Sequence, residues 1–229
     1  MKFYEISMTV WCICEIWRTK KQTVLASIEE QGKLTEELRA QILAAETQVA
    51  VDDLYRPYRP KRRTRATIAK EKGLEPLANL ILLQKMTETP LEEAKNYINP
   101  EKEVSTAEDA LNGAKDILAE SVSDNADFRT HIRELTMKHG QLLSAAKDPE
   151  AESVYEMYYE FSESLSKLAG HRILAISRGE KEKFLIVKID APVDRILSYL
   201  DRKLITAPSA PTAAVLHEVT EIGRASCRE

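Results

Sequence analysis

Two prolines, Pro57 and Pro60, stand three residues apart inside VDDLYRPYRPKRR, and they constrain this chain more than any other feature. Each lacks a backbone N–H, and each drives the residue before it toward an extended conformation. Residues 51–63 are therefore expected to form a stiff, tyrosine-containing connector rather than a helix. The sequence on either side is patterned for helices.

Upstream, Val24, Leu25 and Ile28 share one side of a 3.6-residue period, which predicts a helix over 18–31 that stops at Gly32. Thr35 is placed to cap a second helix, with Glu36 and Glu37 in its first turn and Leu38, Ile42 and Ala45 on its buried face, running to about Ala50. Downstream, Thr64 or Thr67 reopens helical structure and Gly73 closes it. Leu77, Leu80, Ile81 and Gln84 mark a helix over 75–85. Thr89-Pro90 begins another that ends at Asn99-Pro100. Ser105 to Glu108 reads as a capping box before Ala110, Leu111, Ala114, Ile117 and Leu118. Asp124 is expected to cap a helix carrying Phe128, Ile132 and Leu135 that stops at His139-Gly140.

Residues 141–169 read as loop or short helices around Tyr155 to Phe161. His171–Arg178 and Lys183–Asp190 read as two β-prone runs joined by Gly179-Glu180-Lys181, a short β-hairpin. Composition agrees with a mainly α fold: 43% of the 229 residues are apolar and 31% charged, with only 7 Gly and 4 Phe, too few turn residues and aromatics for a large sheet. That length suits one large domain or two small ones.

The connector also concentrates charge. Residues 56–72 hold Arg56, Arg59, Lys61, Arg62, Arg63, Arg65, Lys70 and Lys72 against Glu71 alone, a local net of +7 in a chain whose total is -4. Guanidinium groups fork onto phosphate oxygens, and the faces of Tyr55 and Tyr58 can stack on bases, so these residues are candidates for contacting RNA or DNA. Binding of this kind weakens with salt as condensed counterions are released. Internal pairing with Glu29, Glu30, Glu36, Glu37 or Asp52 is the competing role for the same cations.

Other chemistry finds no support. Phosphate-cradling GxxxxGK[ST] and GxGxxG loops, GxSxG and HExxH are all missing. His131, His139, His171 and His217 are scattered, and Cys12-Ile13-Cys14 has the wrong spacing for a zinc or redox pair. No catalytic residue, cofactor or metal site is expected. No apolar run is long enough to cross a membrane, and the sparse cysteines suit a cytoplasmic protein.

The two ends differ from the rest. The first seventeen residues hold both tryptophans and two of the three cysteines, which fits either a non-native start or a native hydrophobic helix. The final EIGRASCRE (221–229) reads as the in-frame translation of a short-read library adapter and is set aside from functional reasoning.

The string LYRPYRPKRRTRATIAKEKGLEPLANLIL (Leu54 to Leu82) resembles the N-terminal helical region of the Tex family of transcription accessory proteins. The resemblance extends through KKQTVLASIEEQGKLTEEL (Lys20 to Leu38), INPEKEVSTAEDALNGAKDILAE (Ile98 to Glu120) and LSKLAGHRILAISRGEKEKFL (Leu165 to Leu185), about residues 18–190 in all, and leaves 191–220 unassigned. It implies a cytoplasmic, multidomain, non-enzymatic protein. Its helical N-terminal region has helix-turn-helix character and precedes an RNase H-like domain, helix-hairpin-helix elements and an OB-fold that carries most of the nucleic-acid binding. This chain is then expected to be a fragment, binding RNA or DNA weakly. The alternative is a helical scaffold that docks on the transcription machinery without touching nucleic acid. A hydrolase reading rests only on the RNase H-like domain, which this sequence does not contain.

Overall fold

The computed structural model describes residues 17–226 apart from 60–62 and Thr87. Among them are eleven α-helices, five short 3-10 turns and one three-stranded antiparallel sheet, so the fold is mainly α, as the composition predicts. No helix of the described residues is long and apolar enough to cross a membrane. The chain divides into two compact units, one formed by residues up to Arg129 together with those from Ala207 on, the other by Thr130–Thr206.

Among the described residues the first unit is built of helices, with an isolated β-bridge between Asn99 and Val104. Helix α1 (17–30) ends at Gly32, whose φ of +65° is the left-handed stop its sequence suggests. Helix α2 (Glu36–Ala44) is capped by the Thr35 hydroxyl, which accepts from the Leu38 N–H. Helix α3 (Gln48–Tyr55) is capped by Thr47. Val24, Leu25 and Ile28 of α1, Leu38 and Ile42 of α2, and Val51 of α3 form one buried cluster, with Leu54, Tyr55 and Tyr58 packed against it.

Here the connector departs from expectation. Residues 48–55 are helical and Arg56–Tyr58 continue as a 3-10 turn, with Pro57 in its first turn. Val51, Leu54, Tyr55 and Tyr58 recur at helical spacing, and burying that face outweighs the proline, which is tolerated where no backbone donor is required. The long second helix expected to reach Ala50 is instead two helices that meet at Ala45–Glu46.

Helix α4 (Arg65–Glu71) opens with a capping box in which Thr64 and Thr67 satisfy each other's backbone N–H groups. A turn through Lys72, Gly73 (φ +84°) and Leu74 leads into α5 (Glu75–Leu83). Helix α6 (Pro90–Ala94) starts from a second capping box, Thr89 with Glu92. Helix α7 (Ala107–Asp124) is the spine of this unit. Its cap is Thr106 with Asp109, one residue later than expected, and α4, α5, α6 and the last helix, α11 (Ala213–Ser226), all pack on it. Small residues permit the close approach: a Cβ added at Gly113 would overlap Leu74 Cδ1 and lie 3.3 Å from the Ala69 Cβ. Six residues of the adapter-like tail thus continue α11, and the last three lie outside the described residues, as does the tryptophan- and cysteine-rich start up to residue 16.

Helix α8 (Ala126–His139) begins at Asn125, whose side chain accepts from the Asp127 and Phe128 N–H groups; Asp124, the expected cap, is the last residue of α7. In the second unit β1 (Gln141–Ala146), β2 (Glu160–Ser164) and β3 (Leu185–Asp190) form a sheet of order β2-β1-β3. Helix α9 (Gly170–Lys181) packs on β3, and α10 (Val193–Leu204) follows. Leu142, Tyr155, Tyr158, Ile176 and Leu185 form the core between them.

The expected β-hairpin is corrected. His171–Arg178 is not a strand but the body of α9, and only its proposed second arm is extended, as β3. Helix α9 buries Ile176 and Gly179 together, and a Cβ at Gly179 would meet Leu185 Cδ1 at 2.6 Å. That helical face is the signal that local β-propensity concealed. The partner of β3 is β1, some forty residues earlier, with Leu142 opposite Ile189 and Ala146 opposite Leu185.

Candidate nucleic-acid interface

The basic stretch lies against α7, and α7 meets it with a row of carboxylates. Asp116, Glu120 and Asp124 are four residues apart and so occupy one stripe of the helix. Arg56 Nε donates to Asp124 Oδ1 at 3.2 Å. The Thr64 hydroxyl donates to Glu120 Oε1 at 3.0 Å, with Lys70 Nζ 4.0 Å from the other oxygen. Arg65 Nε lies 3.8 Å from Asp116 Oδ1, beyond hydrogen-bond reach. Glu71 receives Arg63 at 2.8 Å, and Lys72 stands 3.6 Å from Glu103 while donating to its carbonyl.

Internal pairing is therefore real, but among the described residues its partners are not those the sequence suggests. Asp52 is taken by Lys20 at 2.9 Å. The acids that meet the basic stretch come chiefly from α7, about fifty to seventy positions further along. Their four-residue spacing is visible in KDILAESVSD, and it is the signal that could have identified them.

The candidate residues separate into two groups. Arg56 is half-buried beside Asp124, and Tyr55 and Tyr58 lean on the α1–α3 core, the Tyr55 hydroxyl sharing a hydrogen bond with Ser27 Oγ at 2.9 Å. Neither ring is a free stacking platform. Arg59, Arg63, Arg65 and Lys70 face solvent; the Arg65 side chain is 80% exposed, and Arg59 has no ion pair among the described residues. Lys61 and Arg62 lie outside the described residues. Beside Arg65 a cleft of about 240 Å³ opens between α4 and α7.

Beneath this surface is a pair that sequence reasoning missed. Arg129 Nε donates to Asp53 Oδ1 at 2.8 Å, and Arg129 Nη1 donates to the Ser123 carbonyl at 3.3 Å. Both charged side chains are over nine-tenths buried. The pair ties α3 to the first turn of α8, next to the Arg56–Asp124 contact.

In the second unit His131 stacks on Tyr199 with ring centroids 3.9 Å apart, and His139 Nε2 lies 2.8 Å from Arg195 Nη1. Lost solvation, with Arg195 and Lys138 adding to it, holds the His139 imidazole below its ordinary value. Among the described residues no group of three or more His, Cys, Asp or Glu is placed to hold a metal ion.

Comparison with known proteins gives this arrangement its context. The profile of a family described as Tex central region-like matches residues 85–211, which takes in the previously unassigned stretch to residue 211. An uncharacterised Bacillus subtilis protein, YdcI, is 44% identical over 214 residues, covering 92% of this chain and 30% of its own length. The transcriptional accessory protein Tex of Neisseria gonorrhoeae is 36% identical over 188 residues, 79% of this chain and 24% of the relative. The human S1 RNA-binding domain-containing protein 1 is 32% identical over 181 residues, 75% of this chain and 18% of the relative. The chain thus spans less than a third of the length of these relatives.

Proposed function

We infer, for a chain that belongs to the Tex family, that this part of the protein holds single-stranded RNA or DNA by its phosphates and does no chemistry of its own. The observation that carries the reading is the outward row of Arg59, Arg63 and Arg65, left in solvent while α7 neutralises the inner cations. Exposed guanidiniums with long or solvent-screened pairs can exchange a carboxylate for a phosphate at little cost. The name of the human relative, an S1 RNA-binding domain protein, accords with such a role. The order of α4 and α5, two helices joined through a three-residue turn containing glycine, is also compatible with the helix-turn-helix character expected of this region. The exposed face of α5 carries Glu75, Asn79, Leu82 and Leu83 and no cation, so the phosphate contact falls to α4 and the residues before it. In the whole protein this contact assists transcription in the cytoplasm, with the tighter nucleic-acid grip supplied elsewhere along the longer chain.

A second reading is favoured by a different observation. Tyr55 and Tyr58 are committed to the core, several cations already have carboxylate partners, and Leu82, Leu83 and Leu91 are exposed. A protein-docking scaffold would use those leucines and leave nucleic acid alone.

Fluorescence anisotropy with a labelled single strand at low ionic strength separates the two. The first reading expects weak, salt-sensitive binding. Changing Arg59, Arg63 and Arg65 to Ala should lower affinity equally for all sequences and flatten the slope of log affinity against log salt by about 2, at roughly 0.7 per phosphate released. No binding by the unaltered chain would establish the scaffold reading instead, and turnover of any nucleic acid would refute the absence of chemistry.

A further inference from the structure

The cleft beside Arg65 differs from the exposed arginines in chemistry. Arg65 and Ile68 of α4 and Lys72 just after it line one side, and Asn112, Gly113 and Asp116 of α7 line the other. Leu74 and Val104 lie beneath it and are almost wholly buried, so the apolar surface open to a ligand is chiefly that of Ile68. At about 240 Å³ it falls short of the roughly 300 Å³ at which drug-sized pockets begin, so it suits one ring system rather than a whole nucleotide.

Its charge selects what enters. Glu103, Asp109 and Asp116 line it against Arg65 and Lys72, a net negative wall that repels a phosphate. An uncharged, flat group rich in N–H donors suits it better. Asp109 already spends one oxygen on the Thr106 N–H at 3.1 Å. The cation beside Asp116 is 3.8 Å away, too far for a hydrogen bond, so that carboxylate keeps its acceptors. The Asn112 amide is exposed and hydrogen-bonds to no other described residue, so it offers both a donor and an acceptor.

We propose that the cleft between α4 and α7 takes one unpaired guanine of a single strand whose flanking phosphates lie on Arg63 and Arg65. Guanine alone among the four bases presents two adjacent N–H donors on one edge, N1–H and the 2-amino group, which match the two oxygens of Asp116. Its O6, next along that edge, accepts from the Asn112 amide. Adenine, cytosine and uracil each set an acceptor beside their donor on the same edge and leave a carboxylate oxygen facing a lone pair. The ring edge enters beside Ile68, the one apolar lining side chain that is partly exposed, which tolerates any base; the carboxylate supplies the choice. The proposal rests on the phosphate-binding reading above and adds a preference to it.

The test compares labelled nine-residue oligouridine with versions carrying a central guanine, adenine or inosine, using the full 229-residue chain at low salt. Guanine should bind about tenfold tighter than adenine, the effect of one bidentate base contact worth about 1.4 kcal/mol. Inosine, which lacks the 2-amino group, should fall between. Asp116→Asn should abolish the guanine preference and leave oligouridine binding at least as strong. Asn112→Ala, on an exposed position, should shrink the preference without altering thermal stability, a control should Asp116→Asn prove poorly folded. Equal affinity for all four strands overturns the proposal while the phosphate reading stands. No binding of any strand overturns both. Binding of an arginine-rich peptide that Asp116→Asn removes, with no base preference, assigns the cleft to a protein partner and overturns the proposal as well.

Discussion

The Arg129–Asp53 and Arg63–Glu71 pairs join the same chemical groups at the same 2.8 Å. The first is 8% and 6% exposed, the second 69% and 55%. Distance therefore does not tell these contacts apart; access to water does. In the buried pair each charge has lost its solvation and is held by contacts within the protein, so the pair acts as a structural rivet between α3 and α8. In the exposed pair both charges remain hydrated and the contact contributes little, which leaves the arginine available to another anion.

The sharpest way to break the comparison is to remove one buried partner. Arg129→Ala takes from the buried Asp53 carboxylate the cation 2.8 Å away and should cost about 3–5 kcal/mol, read from urea denaturation. Pairing Asp53→Leu with Arg129→Met should recover most of that loss, since well-packed apolar groups often replace a buried ion pair without penalty. Failure to recover would mean that the Ser123 carbonyl, and not the carboxylate, is the essential partner. Next in size is Gly113→Val, which pushes a branched side chain into Leu74 and should cost about 1–3 kcal/mol by overpacking while closing the cleft. Thr64→Ala removes a cap and a hydroxyl contact to Glu120 and should cost about 1 kcal/mol. Arg63→Ala should stay within about 0.5 kcal/mol, as surface changes usually do, and yet weaken single-strand binding. A stability loss as large as that of Arg129→Ala would show the two pairs to be alike after all.

The smallest effect is one of pH. The Thr89 hydroxyl and N–H hold the Glu92 carboxyl below its ordinary value. A lowered native value means that the capping contribution is fully present above the unfolded carboxyl's value and is lost as pH falls through the folded one. The Thr89 amide resonance should therefore move in acid, and Glu92→Gln should remove that movement.

Much of the helical architecture is legible in the residues themselves. Thr35, Gly32 and Gly73 occupy the cap and turn positions their chemistry predicts, and Leu77 and Ile81 are buried as their spacing requires. These features are local, and each is set by a handful of neighbours. The sheet is not legible in the same way: Leu142, Ser144 and Ala146 acquire strand geometry only by pairing with residues some twenty and forty positions away. The basic stretch is visible at once, but what its cations face is not. Arg56 and Asp124 are 68 residues apart, and Asp53 and Arg129 are 76 apart, so no window of sequence holds both ends of either contact.

The stripe on α7 also restricts how this protein can change in length. One residue added between Asp116 and Glu120 would turn everything beyond it by about 100°. Glu120 would leave Thr64 and Lys70, and Asp124 would leave Arg56, in a single step. A helix that holds three contacts in register tolerates substitution one position at a time, but it resists insertion and deletion throughout. Length variation among descendants should therefore be excluded from α7 and collect in exposed turns between elements.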